Sequence, residues 1–296
     1  MGSIKKRVTI GLCVKNCEKT IKKSLKSILN QSFPQELVEL IVVDGGSRDH
    51  TLDIIRNILS KEDIDNAILI ANKGLGQARQ IVVENAKGEY IIWVDGDMVL
   101  TKDFIGEHVK FMDEHPKVGI AVGQHLMSSK DNWVASLDII EDVMDFSYNR
   151  RNTQRPLGAG GCIYRVVAIK QVGGFNCDIR GAEEDTDIEN KIRTLGWALE
   201  VSPKAKFYEK PPSSWKALWI KYSWYGYGGH YALHKGLIKK RKLFPLLILL
   251  MMFSRSIFAY KLTGRKIFFL YPLHYVYKRI AWLFGFMKAH FDSYGH

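Results

Sequence analysis

The strongest constraint on this chain is a rhythm in its first 125 residues, where short apolar runs alternate with segments of helical period. Val8 to Val14 is the first run, and Ile21, Leu25, Ile28 and Leu29 then recur at i, i+4, i+7 and i+8, one face of a helix. Val38 to about Val43 is the second run. Ser47 follows as a predicted helix cap, with Leu52, Ile55 and Leu59 at helical spacing behind it. A short strand is predicted at Ala67 to Ala71, a helix from about Gly76 to Ala86, and a strand at Tyr90-Ile91-Ile92-Trp93-Val94. Strands this uniformly apolar need cover on both faces, and a helix between successive strands runs them parallel. The expected class is α/β, a mostly parallel sheet flanked by helices. Ligands of such sheets gather beyond the carboxyl ends of the strands, so the residues just after each run are the candidates for chemistry.

From 130 to 215 the pattern changes. A helix is predicted around Trp133 to Tyr148, then a loop ending in Gly158-Ala159-Gly160-Gly161, a strand or turn to Arg165, and Gly173-Gly174-Phe175. The segment GAEEDTDIENKIRTLGW reads as a helix with acids at its start and Gly196 just past its end, both favourable to a helix.

The formal charge of +12 would suit a nucleic-acid binder were it spread over the 296 residues. It is not. Residues 204–296 hold 17 of the 43 Lys+Arg and two of the 31 Asp+Glu, which leaves 26 against 29 for residues 1–203. The basic third is also the most apolar: Leu243 to Phe253 reads LFPLLILLMMF, and Ile267 to Phe286 is rich in aromatics, interrupted by Lys278 and Arg279. The first run has 11 residues, short of the roughly 20 that span a bilayer. Basic and apolar together indicate helices lying on an anionic membrane surface and no nucleic acid. Short or re-entrant spans, or a helical hairpin packed on the protein's own core, are the alternatives. The N-terminus has no apolar stretch of signal-peptide type and Lys6 breaks the myristoylation pattern, so the catalytic part is expected on the cytoplasmic face of the membrane. Cys13, Cys17, Cys162 and Cys177 form no C-x-x-C pair and read as small residues in a reducing compartment.

Asp95-Gly96-Asp97 follows the run ending at Val94, two carboxylates at the ligand edge that suit Mg or Mn bound with a diphosphate; the alternative is a turn or a cap for the helix beginning near Thr101. Asp44 ends the second run and could accept from a nucleobase N–H or simply form the Asp44-Gly45-Gly46-Ser47 turn. Lys15 and Asn16 follow the first run. Asn72 to Arg79 places a glycine-rich turn, a helix start and a cation after the third, an arrangement able to face an anion. Glu183, Glu184, Asp185 and Asp187 crowd one helix start beyond what its dipole needs, and crowded carboxylates raise one another's pKa, as a general base requires.

In this order VTIGLCVKN, IVVDGGSRDHT, NKGLGQAR, YIIWVDGDM and GAEEDTDIENKIRTLGW resemble the successive blocks of the family 2 glycosyltransferases, inverting sugar-nucleotide enzymes of GT-A fold. The likeness covers roughly residues 7 to 230. It implies that Val14, Lys15 and Asp44 lie about the nucleotide, that Gly74 to Arg79 line the donor pocket, and that Asp95 and Asp97 form the metal-binding D-x-D. It further implies that Asp185, beside Glu184, deprotonates the acceptor, and that Gly160, Gly161 and Trp224 lie on the acceptor side. Cys13-Val14-Lys15-Asn16 stands where the family usually has Pro-Thr-Tyr-Asn, and the Gln-x-x-Arg-Trp of processive synthases is absent, which favours transfer of one sugar.

Pattern, charge and resemblance together divide the chain into a GT-A catalytic domain over 1–212, an aromatic lid or connecting segment over 213–234, and a membrane-interface helical region over 235–296. The function it implies is metal-dependent transfer from a nucleotide-diphosphate sugar, foremost a UDP-sugar, to a lipid-linked or other membrane-associated acceptor. A nucleotidyltransferase on a similar sheet and a non-catalytic sugar- or membrane-binding protein are the alternatives.

Overall fold

The computed structural model describes residues 5–126, 132–138, 156–238 and 245–295, with the side chains of 245–249 excepted. These group into two compact units: residues 1–126, 153–180 and 184–209 in the first, and 127–152, 181–183 and 210–296 in the second.

The first unit begins with the alternation the sequence predicts: β1 (Val8–Val14), α1 (Ile21–Leu29), β2 (Val38–Asp44), α2 (Thr51–Leu59), β3 (Asp65–Ile70), α3 (Leu75–Asn85) and β4 (Tyr90–Asp95). It continues through β5 (Met98–Leu100), α4 (Phe104–Glu114), β6 (Val118–Leu126), β7 (Cys162–Arg165), α5 (Val166–Gln171), α6 (Glu184–Thr194) and β8 (Ala198–Glu209). Among the described residues the sheet has the order β3-β2-β1-β4-β7-β6-β8-β5. β1 pairs in parallel with β2 and β4, and β2 with β3, so four carboxyl ends share one edge. β7 enters antiparallel between β4 and β6, β6 runs parallel to β8, and β5 closes the edge antiparallel to β8. The α/β class with a mostly parallel, helix-flanked sheet is as expected.

The apolar runs are explained by two cores. Val8, Ile10, Leu12, Leu40, Val42, Ile92 and Val94 bury on one face with Ile21, Leu25, Ile55 and Phe104 of the helices. Ile41, Val43, Ile91 and Trp93 bury on the other with Ala78, Val82, Ile188 and Ile192. Alternation within each strand thus serves two hydrophobic layers, and neither face can be polar. Gly11 sits against Trp93, where a Cβ would come within 2.5 Å of the indole.

Two local expectations need correction. Ser47 does not cap α2, which starts four residues later behind His50; Asp49 meets its first turn, accepting from the Thr51 amide at 3.0 Å. Ser47 instead bonds Asp44 Oδ1. The helix expected near Thr101 starts at Phe104, after the short β5. The helix expected at Trp133 to Tyr148 is helical over 133–138, and its remainder lies outside the described residues.

The second unit is helical in its described part: α7 (Trp215–His234), α8 (Pro245–Thr263), a 3₁₀ turn at Lys266–Leu270 and α9 (Tyr271–Phe291). Ser214 caps α7, its side chain accepting from the Ala217 amide. α7 meets α9 through glycines: a Cβ on Gly226 would lie 1.8 Å from the Trp282 carbonyl oxygen, and one on Gly285 would lie 1.8 Å from that of Ser223. The 213–234 segment, expected as an aromatic lid or connecting segment, is largely this helix, pressed on α9 by its small-residue face. No helix among the described residues is long and apolar enough to cross a membrane.

Candidate active site

The ligand edge of the first unit is built from loops that bind one another before any ligand arrives. After β1, Asn16 takes a left-handed conformation, φ 51°. Its amide donates to Ser47 Oγ at 2.9 Å and its side-chain oxygen accepts from Arg48 N at 2.8 Å. Asp44 Oδ2 accepts from Gly46 N and Ser47 N at 3.0 and 2.9 Å, so this buried carboxylate closes its own turn. Val14 is a core side chain and its carbonyl accepts from Gly45 N at 2.8 Å, whereas Lys15 is exposed. Of Val14, Lys15 and Asp44, then, only Lys15 presents its side chain freely to solvent.

After β3, Gln77 Oε1 accepts from the Asn72 and Lys73 amides at 3.1 and 2.9 Å and so shapes the turn into α3. Gly74 adopts φ 119°, and a Cβ there would meet the Arg180 backbone at 2.6 Å; one on Gly76 would meet the Asn176 carbonyl oxygen at 2.2 Å. These two glycines serve close backbone packing against 176–180. Arg79, one turn into α3, is buried: its Nε donates to Glu184 Oε1 at 2.9 Å, its Nη2 lies 3.9 Å from Asp95 Oδ1, and its Cζ sits 5.0 Å from the Trp93 ring centroid.

Asp95 is the last residue of β4, and Asp97 lies across a turn too narrow for any side chain at Gly96, where a Cβ would meet Cys17 Sγ at 2.6 Å. Gly160 packs directly on Asp95, with its hypothetical Cβ 2.6 Å from Asp95 Oδ2, and Gly158 approaches Asp185, 3.8 Å from Oδ2 by the same measure. The strip 157–161 therefore brings Asp95 and Asp185 to one place. Gly161, at φ 75°, faces the Phe207 ring. Trp224 lies in the second unit on α7, half-exposed, with its ring against Tyr225 at 5.6 Å.

Electrostatics follow from this crowding. Burial pushes Glu184 up to about 7, against Arg79 and with the help of Asp185. Loss of hydration also raises Asp95; Arg79 pulls it back down and Asp185 adds to the rise. Arg79 keeps its charge: burial disfavours it, but the carboxylates of Glu184, Asp95 and Asp185 outweigh burial and hold it protonated. Burial lifts the Cys13 thiol to about 12, so it stays uncharged. Asp95 and Asp97 are hard oxygen donors on one turn, a set that fits a divalent cation taking its other ligands from a diphosphate. Among the described residues no cluster of three or more His, Cys, Asp or Glu could hold a metal unaided.

Two buried groups escaped the sequence reading. His108 reaches the Gly161 carbonyl oxygen at 3.2 Å with Nε2. Glu189 accepts from the Leu157 amide with both carboxyl oxygens, at 3.1 and 2.9 Å. The spacing of Asp185 and Glu189, one helical turn, is the only sequence signal that could have flagged the second.

The model of glycosyl transferase family 2 matches residues 9–171. Among curated proteins the chain is similar to the poly-beta-1,6-N-acetyl-D-glucosamine synthase of Staphylococcus epidermidis, 24% identical over 246 residues, which are 81% of this chain and 58% of that protein. The synthase of Staphylococcus aureus strain COL is likewise 24% identical over 251 residues, 82% of this chain and 60% of the relative. The chain thus spans less than two thirds of the length of these relatives. Among solved structures it is similar in fold to the mannosyltransferase PcManGT of Pyrobaculum calidifontis in complex with GDP-Man and Mn2+, at TM-score 0.68 and 17% identity over 98% of this chain and 88% of the other. Residues 1–349 of S. aureus TarS in complex with UDP match at TM-score 0.53 and 18% identity, over 95% and 89% of the two chains.

Proposed function

The chain belongs to glycosyl transferase family 2, and on that premise we propose that it moves one sugar, with inversion, from a nucleotide-diphosphate sugar, foremost a UDP-sugar, to a membrane-associated, lipid-linked acceptor. The observation that carries the proposal is the meeting of Asp95 and Asp185 across the glycine strip 158–160 at the ends of the parallel strands. The UDP preference draws on TarS, which is in complex with UDP in one structure and with UDP-GlcNAc in another.

In-line displacement at the anomeric carbon requires a base on the side opposite the departing diphosphate. Asp185, half-buried at the start of α6, takes the acceptor proton. Asp95 and Asp97 would hold the divalent cation, Mn or Mg, which when bound neutralises charge on the leaving nucleoside diphosphate. Arg79 fixes Asp95 from behind, and Glu184 fixes Arg79. Gly158 and Gly160 leave the space beside both carboxylates free of side chains.

The membrane part of the proposal rests on α9. Leu273, Val276, Ile280, Leu283, Phe284 and Met287 recur along one side of this helix, each between 41% and 60% exposed. Its opposite side, with Ala281, Gly285 and Ala289, is buried. A helix that is apolar outward as well as inward, in a region carrying 17 Lys+Arg, suits insertion into an anionic interface.

The test is product analysis. UDP-, GDP- and dTDP-sugars are supplied with Mn and a membrane extract, and the nucleotide product and the sugar-bearing fraction are followed. Nucleoside diphosphate release with sugar entering the lipid fraction is expected. Pyrophosphate release would indicate nucleotidyl transfer instead, and turnover of no donor would sink the proposal.

A further inference from the structure

The strip from Leu157 to Gly161 lies against both candidate carboxylates, and its own anchorage comes from Glu189, a buried residue bonded to the Leu157 amide. Glu189 is on α6, four residues after Asp185, which puts the two on one side of that helix. Its side chain is buried, with both oxygens on the Leu157 amide at 3.1 and 2.9 Å and a further backbone bond from Gly158. Gly158 is held left-handed, φ 76°, with its carbonyl oxygen accepting from Cys162 Sγ at 2.9 Å. Past it the strip passes Asp185 at Gly158 and Asp95 at Gly160. The tether and the candidate base therefore share one rigid helix, and a displacement of the strip moves it against both carboxylates at once.

We propose that Glu189 is a positioning residue for the sugar transfer: it clamps the Leu157–Gly158 backbone to the helix that carries Asp185, and its charge state sets how tightly. This inference rests on the transferase reading above. An ionised carboxylate offers acceptors to both amides, whereas a protonated one gives up part of that capacity to its own O–H. Burial raises Glu189 to about 8, its backbone bonds and Arg193 work against that rise, and Asp185 adds to it. Cys162 and Tyr164 also face it, and burial keeps both of them uncharged. The tether thus tightens as pH rises through the neutral to mildly alkaline range.

The experiment compares wild type, Glu189→Gln and Glu189→Ala for kcat and donor KM from pH 6 to 9.5, with thermal unfolding recorded on the same samples. Glu189→Gln keeps the shape and one acceptor but cannot ionise. It should match wild type near pH 6.5 and fall progressively below it above pH 8, in kcat and with donor KM little changed. Glu189→Ala, with the clamp gone, should lose about 10²-fold in kcat at every pH, the scale of a misplaced reacting group. Thermal unfolding supplies a readout independent of turnover. Because the folded carboxyl holds its proton more tightly than the unfolded one, wild type should lose stability as pH rises from about 4.5 to 8, and Glu189→Gln should lose less. Superimposable pH profiles of kcat for wild type and Glu189→Gln, with Glu189→Ala fully active, would overturn the inference while leaving the transferase reading intact. Failure of wild type itself to transfer would overturn the reading, and with it the catalytic part of the inference. Unfolding profiles of equal slope would show that Glu189 does not titrate in the fold and would overturn the charge-dependent clamp.

Discussion

Arg79 Nε donates to Glu184 Oε1 at 2.9 Å, and the two side chains are only 5% and 2% exposed. They come from α3 and α6, 105 residues apart, and meet beneath Asp95. A buried ion pair adds little net stability while intact, because desolvation offsets the Coulombic gain, but removing one partner strands the other charge.

Arg79→Met should therefore destabilise the chain by about 3 to 5 kcal/mol, with donor turnover falling as Asp95 loses its neighbour. Chemical denaturation of wild type and variant measures the first effect. A loss below about 1 kcal/mol would mean that Glu184, whose carboxyl is already raised to about 7, takes up a proton when Arg79 is gone and leaves no stranded charge.

Glu184 also links stability to pH. Its carboxyl is raised to about 7 in the fold, so the folded state binds the proton more tightly than the unfolded chain does. Stability from this group is complete below about 4.5 and is lost as pH climbs through 7, by roughly 3 kcal/mol at most. Glu184→Gln should flatten that part of the stability curve, as read by thermal unfolding between pH 5 and 8. An unchanged slope would place the proton elsewhere.

Asp97→Asn should leave the fold intact, since Asp97 sits in a turn at the strand end rather than in the core. It should also abolish the Mn-dependent part of donor turnover, because a carboxylate oxygen at the cation is lost. The measurement is activity against added Mn, with circular dichroism to establish folding. Full activity of the variant in excess chelator would remove the metal from the proposal.

Asp185→Asn should lower kcat by roughly 10² to 10⁴ with donor affinity little changed, since a base acts on the transition state. Isothermal titration of the donor beside steady-state kinetics separates the two quantities. A variant that fails only in donor binding would make Asp185 a donor-site carboxylate.

Ile280→Asp with Phe284→Asp changes two exposed side chains of α9, of which Phe284 also meets the Trp219 ring of α7 at 5.6 Å, and should leave the buried Ala281, Gly285 and Ala289 packed. In flotation with phosphatidylglycerol vesicles the double variant should stay at the bottom while wild type rises, since two charges replace the apolar surface that enters the bilayer. Substitution is the appropriate probe because a chain cut after α7 would expose the glycine face that α9 covers. Equal flotation of both forms would detach the membrane from the proposal.

Periodicity determined the alternation as far as β4: β1 and α1 run as their apolar spacing requires, and β2 and β4 each extend one residue past the predicted run to Asp44 and Asp95, because local pattern and the need to bury both sheet faces point the same way; β5 and β6 left no such signal. The acids at 183–187 and the pair Asp95 and Asp97 were legible for the same reason, as polar residues placed where an apolar element begins or ends. What the tertiary structure decided was which of these groups meet. That Glu184 is consumed by Arg79, that Asp44 closes its own turn, that Gly74 and Gly76 make room for residues 176–180 and that Glu189 grips Leu157 all depend on contacts across the fold or on the exact path of a turn. Spacing along a chain carries the period of a helix or strand, but a through-space contact between residues dozens of positions apart leaves no period. Only packing distinguishes a carboxylate that meets a ligand from one that holds the site together.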